Sequence, residues 1–195
     1  MRKPIDRTVM HSYPGMVAIV TASYNGIDNV MAAGWHSYIS YEPPIYGVAL
    51  GRERYTHDLV KNAGSFAVHF LPFEKAQFIQ QAGVYTGKNT DKFLVGDMTF
   101  DRGLTIPAPI LHDAYVAYEC KVIDIQKYGD HDWVVGEITQ FYRDEEKFLE
   151  NGLPNFEKLE IPLYLGRSMY TKVDQDSKMK SFKVEQNRNP LPERP

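Results

Sequence analysis

Arg52, Arg54 and Thr56 stand within five residues of one another, ahead of Asp58, Leu59, Val60 and Ala63. Thr56 is a good N-cap type, and the apolar residues after it recur at helical spacing, so a short helix is predicted to begin there and to end at Gly64. The free backbone N–H groups and the dipole of such a helix start attract anions, and two arginines add positive charge. The chemistry open to this stretch is phosphate binding; the plainer alternative is a capped helix with no ligand. Lys92, in GKNTDKF, could reach the same anion. The neighbouring GVYTGKNT is no P-loop, because three residues and not four separate Gly83 from Gly87, and Asn89 stands where Ser or Thr should follow the lysine.

A second stretch, Asn29 to Pro44, reads NVMAAGWHSYISYEPP. Ala32, Ala33 and Gly34 are small where a strand usually carries bulky β-branched residues, and small side chains let a ligand approach the backbone. Trp35 places a large flat ring beside that gap, and Pro43-Pro44 stops the element. Together they suit one wall of a site for a planar ligand. The alternative is a tightly packed hairpin with Trp35 as core filler.

Other chemistries find little support. The histidines are His11, His36, His57, His69, His112 and His131, and no two have the i, i+4 spacing of a zinc protease. In Asp130-His131-Asp132, neighbours on a strand point to opposite faces, which argues against a metal cluster. His131 instead opens a strand at the rim of a sheet, where it suits hydrogen bonding to a ligand. There is no G-x-S-x-G elbow and no G-x-G-x-x-G fingerprint, so a nicotinamide cofactor would bind transiently and without a Rossmann unit. The single cysteine, Cys120, rules out an internal disulfide and a Cys-x-x-Cys pair, so any electron transfer requires a cofactor. A formal net charge of -3 gives no support for nucleic acid as a partner. No apolar run approaches the roughly 20 residues that span a bilayer, and MRKPIDRTVMHSYPG lacks the apolar segment of a signal peptide. A cytoplasmic protein with no membrane partner is the expectation.

The elements that must position these residues read mainly as strands. Gly15 to Tyr24 is apolar on both faces, as in a buried strand, and Asn25-Gly26 is a hairpin turn. Ile45 to Gly51 and Ser65 to Leu71 are further strands. Phe73 to Ala82 is a second helix, predicted to stop at Gly83, and Gly83 to Pro109 reads as a long loop-rich excursion. Val116, Tyr118, Cys120 and Val122 alternate with Ala117, Glu119 and Lys121, a period of two. Tyr128 to Asp130 turns the chain into a strand from His131 to Tyr142, and Pro162 to Val173 supplies one last strand. The chain is polar from Asp174 onward. Many short strands, two short helices and no βαβ alternation argue for an all-β barrel or sandwich. The 23 Tyr and Phe residues, 13 and 10, favour a sheet-rich fold with flat walls.

In order and spacing these pieces resemble the flavin reductase-like family of FMN-binding split barrels, and its flavoredoxin branch in particular. The resemblance runs from about Pro14 to Val173. It rests on Asn29, Met31, Gly34 and Trp35, on SYEPP, on RYT before a helix, on Ser65-Phe66, on the Lys92 loop, on GDH followed by VVGEI, and on PLYLGRSMY. It implies a mainly β fold, a Greek-key split β-barrel with a few short helices. One domain would cover residues 1–173, and residues 174–195 would be a C-terminal tail or dimer arm.

The resemblance further implies a homodimer with FMN held noncovalently near the subunit interface. Asn29 and the backbone of Met31, Ala32, Ala33, Gly34 and Trp35 would line the isoalloxazine and ribityl chain. Thr56 and the backbone from Arg52 through Arg54 to Tyr55 would hold the phosphate with Lys92, and His131 and Tyr164 would complete the pocket. The implied function is a flavoprotein oxidoreductase that passes electrons from NAD(P)H to flavin, ferric iron or a protein acceptor. The alternatives are an electron carrier that shuttles between redox protein partners, and a split-barrel module for another planar ligand.

Overall fold

Asn25 and Gly26 both adopt positive φ, 51° and 77°, and fold β1 (Ala18–Tyr24) back onto β2 (Ile27–Ala33). This pairing of φ values matches the twist of the two strands, which explains why the Asn-Gly dipeptide sets the hairpin. The structure is a computed structural model and describes residues 2–8 and 13–182. After a break at Gly34 and Trp35, β3 (His36–Tyr41) pairs with β4 (Pro44–Gly51). Helix α1 (Tyr55–Ala63) ends at Gly64 with φ 65°, and β5 (Ser65–Phe70) is buried throughout. Then come α2 (Ala76–Val84), α3 (Lys92–Val95), β6 (Phe100–Arg102) and β7 (Pro109–Leu111). The two longest strands, β8 (Val116–Tyr128) and β9 (His131–Arg143), precede the hairpin of β10 (Ile161–Gly166) and β11 (Met169–Val173).

Among the described residues the main sheet has seven strands in the order β2-β1-β5-β8-β9-β4-β3. Every pairing in it is antiparallel. Although β1 and β4 lie far apart in that order, Val20 and Ala22 share one buried cluster with Val48 and Leu50. The sheet therefore curls on itself as a barrel, and residues from its two ends meet across one core. On its outer side α2 buries Phe78, Ile79 and Ala82 against Ile19 and Val30, so the end of α2 is fixed beside β2.

The structure corrects four local expectations. Thr56 is not an N-cap: Arg54 holds that position with extended φ and ψ and no capping side chain, and Thr56 lies inside the first turn. Its hydroxyl is taken by Asn29 instead. Helix α2 does not stop at Gly83 but runs through it to Val84. A Cβ at Gly83 would lie 3.4 Å from that of Ala32, an ordinary contact, so α2 lies close against β2 there without requiring glycine. The expected excursion contains α3, capped by Asp91 accepting from the Leu94 amide, and the β6–β7 hairpin. The expected last strand is the β10–β11 hairpin. Alternation in β8 is also interrupted. Glu119, on the face that reads as polar, is fully buried and accepts from the amides of Leu104, Thr105 and Ile106. Burial alone would raise its pKa, but these donors with Thr105 and Tyr142 hold the carboxyl below its usual range. Asp174 to Phe182 form neither helix nor strand, and residues 183–195 of the expected tail lie outside the described residues.

Candidate functional site

The break between β2 and β3 opens into a cavity of about 420 Å³, bounded also by the β4–α1 turn, the end of α2, the start of β9 and the β10–β11 hairpin. That volume lies within the usual range for small-molecule sites. Met31, Ala32, Ala33 and Gly34 form one wall. Nothing lies within 4 Å of a Cβ built on Gly34, so the backbone there is open to an approaching group. Trp35 is 40% exposed, which excludes the core-filler alternative. Its ring lies 4.9 Å from that of His131 at an angle of 51°.

The far end of the cavity is built for an anion. The amides of Tyr55 and Thr56 are first-turn donors of α1 with no intrahelical acceptor. Asn29 is buried and donates from Nδ2 to Thr56 Oγ1 at 2.8 Å. The Gly87 backbone packs directly on that amide: a Cβ at Gly87 would be 2.2 Å from Asn29 Oδ1. Arg54 lies at the mouth, half-exposed, and pairs with Glu53 at 3.1 Å.

Lys92 forms the floor between β2 and α2. Its Nζ donates to the Val30 carbonyl at 2.8 Å and the Ala82 carbonyl at 2.9 Å. An ammonium has three donors, so one remains for the cavity that Lys92 lines. Burial, and to a lesser degree the Arg54 charge, lowers its pKa to about 8. Lys92 is still protonated at neutral pH, and supplies a buried positive charge.

All the expected site residues line this cavity except one. Arg52 faces away, because its guanidinium is committed to Asp132 at 3.0 Å and to the Gly129 carbonyl. Its expected contribution of charge to the anion is corrected accordingly. His131 reaches the cavity from the first residue of β9, with Nδ1 2.8 Å from Asp130 Oδ1. Tyr164 reaches it from β10, its ring 5.2 Å from Tyr13 and 5.0 Å from Tyr170.

Sequence reasoning missed Tyr13, Gln80, Gly87 and Tyr170, which also line the cavity. Tyr170 donates to Gln80 at 3.2 Å, a contact between α2 and the last hairpin that no local spacing reveals. The glycine-rich run around Gly87 was the one available signal. A wall made largely of small residues, an aromatic edge and a charged, amide-lined end together fit a planar ring that carries a phosphate.

Comparison with known proteins agrees with this chemistry. A sequence model of the flavin reductase like domain matches residues 10–174. A protein of Aeropyrum pernix is 32% identical over 164 residues, spanning 80% of this chain and 59% of its own. The FMN-binding protein of Thermus thermophilus, solved with bound 1-cyclohex-2-enone, superposes with a TM-score of 0.82 at 30% identity, over 92% of this chain and 100% of that one. Flavoredoxin from Methanosarcina acetivorans gives 0.83 at 25% identity, over 96% and 98%. A putative flavin reductase with a split barrel domain from Shewanella frigidimarina, 16% identical, shares the fold with a TM-score of 0.75 over 86% of each chain. The expected mainly β split barrel is the observed fold.

Proposed function

This chain belongs to the flavin reductase-like family, and from that premise we propose that it holds FMN noncovalently in the cavity and works as an oxidoreductase. It takes reducing equivalents from NAD(P)H and passes them to flavin, ferric iron or a protein acceptor. The observation that carries this reading is the union, in one cavity, of the open Gly34 wall with the α1 donors and the buried Lys92 ammonium. Bound FMN supplies the electron chemistry, and the protein sets its position and surroundings.

The chain's own residues divide that work. The amides of Tyr55 and Thr56 bind phosphate, with Arg54 adding charge at the mouth. Asn29 fixes the Thr56 hydroxyl and keeps the first turn of α1 in place against β2. Lys92 sets a positive potential under the cavity, and its two carbonyl partners prevent it from leaving. Trp35 and His131 frame the open edge, while Tyr164 and Tyr170 exclude water opposite them.

A second reading, an electron carrier between redox proteins, draws on the rim. Val84, Tyr85 and Trp35 all line the cavity yet are 64%, 42% and 40% exposed, an apolar edge suited to a docking protein. The homodimer belongs to the same proposal. Strand β3 ends one side of the sheet and leaves Tyr38, Ile39 and Tyr41 exposed, with Phe141 of β9 nearby in the sheet. Light scattering on the purified chain tests that part.

The deciding experiment follows the visible spectrum of FMN-loaded protein under anaerobic conditions as NADH and then NADPH are added. Prompt bleaching of the flavin bands supports the reductase and identifies its donor. A bound flavin that stays oxidised with both donors supports the carrier, and failure to hold FMN refutes both.

A further inference from the structure

His131 faces the cavity, and the next residue of β9, Asp132, faces the other way. Its carboxylate is largely buried, with 12% of the side chain exposed, and it has two cationic or donor partners. Oδ1 accepts from Arg52 Nη1 at 3.0 Å, and Oδ2 accepts from His57 Nε2 at 2.8 Å. A carboxylate only accepts, so the proton of His57 lies on Nε2; Nδ1 faces Asp58 Oδ1 at 3.6 Å, beyond hydrogen-bond reach. The His57 bond, with Arg52 adding to it, holds the Asp132 carboxyl below its usual range against the opposing effect of burial.

Arg52 and His57 bracket the segment Arg54–Thr56 that supplies the anion donors. One carboxylate on β9 therefore grips both ends of that segment. The grip is reinforced on the strand side. Arg52 also donates to the Gly129 carbonyl, and Asp132 stands opposite Leu50 in the β4–β9 ladder. Residues 52–57 form a turn and a first helical turn with no capping side chain of their own; the backbone bonds from Arg54 N to the Gly51 carbonyl and from His57 N to the Arg54 carbonyl, each 3.0 Å, shape the turn but do not tie it to the sheet. Asp132 supplies that tie from across the sheet.

We infer that Asp132 is a positioning residue for phosphate recognition: through Arg52 and His57 it aims the first turn of α1 at the phosphate of the bound ligand. This rests on the FMN reading above. Loss of aim and a change of charge have opposite consequences for anion binding. Removing the carboxylate frees the Arg52 charge near the seat, so charge alone predicts tighter anion binding, whereas loss of aim predicts weaker binding. Loss of aim also differs from general destabilisation, which weakens every ligand of the cavity alike.

The test compares FMN with riboflavin, which lacks the phosphate, by titrating the purified protein and following quenching of flavin fluorescence. Wild type is expected to bind FMN about tenfold or more tighter than riboflavin. In Asp132→Ala and in His57→Phe that preference is expected to fall at least about fivefold, with riboflavin affinity changed less than about twofold. Asp132→Asn is expected to keep most of the preference, because its amide can donate to the other His57 tautomer while its oxygen still accepts from Arg52. Melting curves identify which variants fold, and His57→Phe decides alone if Asp132→Ala does not. A preference unchanged or enlarged in the folded variants, or an equal loss for both flavins, overturns the inference. A wild type that does not distinguish the two flavins instead overturns the phosphate seat itself, and the inference with it.

Discussion

The contact between Gly87 and Asn29 makes a sharp test of how the anion end is built. A Cβ at residue 87 would lie 2.2 Å from Asn29 Oδ1, 2.6 Å from its Cγ and 2.9 Å from its Nδ2. Ordinary contacts lie near 3.5–4 Å, so Gly87→Ala must open this site by about 1 Å. The backbone at residue 87 is outside the left-handed region, so the cost comes from contact and not from φ, and the three atoms nearest the methyl all belong to Asn29. Asn29 must then swing away from Thr56, or residues 86–88 must retreat from the cavity. Losing the buried 2.8 Å bond and leaving its two groups unpaired costs about 2–3 kcal/mol, and the stiffer unfolded chain returns about 0.4–1 kcal/mol. The net loss of about 1–2.5 kcal/mol lowers the melting temperature by roughly 2–10 °C in a chain of this size. FMN binding is expected to weaken about tenfold or more, since both displaced groups belong to the seat. Circular dichroism melts of the ligand-free protein and flavin fluorescence titrations measure the two effects. Gly83→Ala is the control, because its methyl would meet Ala32 at 3.4 Å and sits within a helix. A Gly87→Ala protein that melts and binds FMN like wild type would refute this account of the seat.

Trp35→Ala removes a half-exposed ring from the edge of the cavity. FMN affinity is expected to drop by about three- to tenfold in a fluorescence titration, with the melting temperature nearly unchanged. Lys92 has a pKa of about 8, so wild-type affinity for FMN should decline as pH rises above that value and the ammonium loses its proton. Lys92→Met should bind more weakly at pH 7 and lose this decline; titrations between pH 7 and 9.5 decide it. His69 is fully buried, and burial lowers its pKa to about 4 despite its bond to the Ile19 carbonyl. Between pH 6.5 and 4 the unfolded chain takes up a proton that the folded chain refuses, so stability falls with pH by about 3 kcal/mol across that window. In His69→Leu the melting temperature should depend less on pH over the same interval.

What the sequence discloses and what it hides follow from the range of the interactions. Asn25-Gly26 and Gly64 act through their own φ angles, so a turn and a helix end are legible from two residues and one. The small-residue run before Trp35 is legible for the same reason, since a missing side chain is a local fact. Gly83 shows where this fails. A glycine that ends a helix and one that lies inside a helix look alike in the sequence, and here the helix continues to Val84. Thr56 has the residue type of a cap, but its hydroxyl partner is Asn29, 27 residues away. Arg52 has the charge for an anion site, but Asp132, 80 residues on, takes it. Glu119 obeys the period of its strand in position only, because the loop at Leu104–Ile106 closes over it and supplies donors. Residue types announce what chemistry is available, and tertiary pairing decides which of it is used.

The cavity is asymmetric, and that asymmetry bears on how electrons reach it. Its charged end is buried: Thr56, Asn29 and Lys92 are each at most 5% exposed and each is hydrogen-bonded. Its flat end is open, at Trp35, His131 and Tyr85. If FMN binds as proposed, with its phosphate at the buried end, its ring would lie at the open one, and donor and acceptor would share that edge. On the proposed function a nicotinamide donor would lie beside Trp35 and His131, whereas a protein partner would cover the apolar rim of Val84, Tyr85 and Trp35. Two large partners would exclude each other from one edge, so on the proposed function the first would have to leave before the second arrives. The kinetics then follow a ping-pong pattern, with parallel double-reciprocal lines for donor and acceptor. Intersecting lines would mean that the edge accommodates both at once.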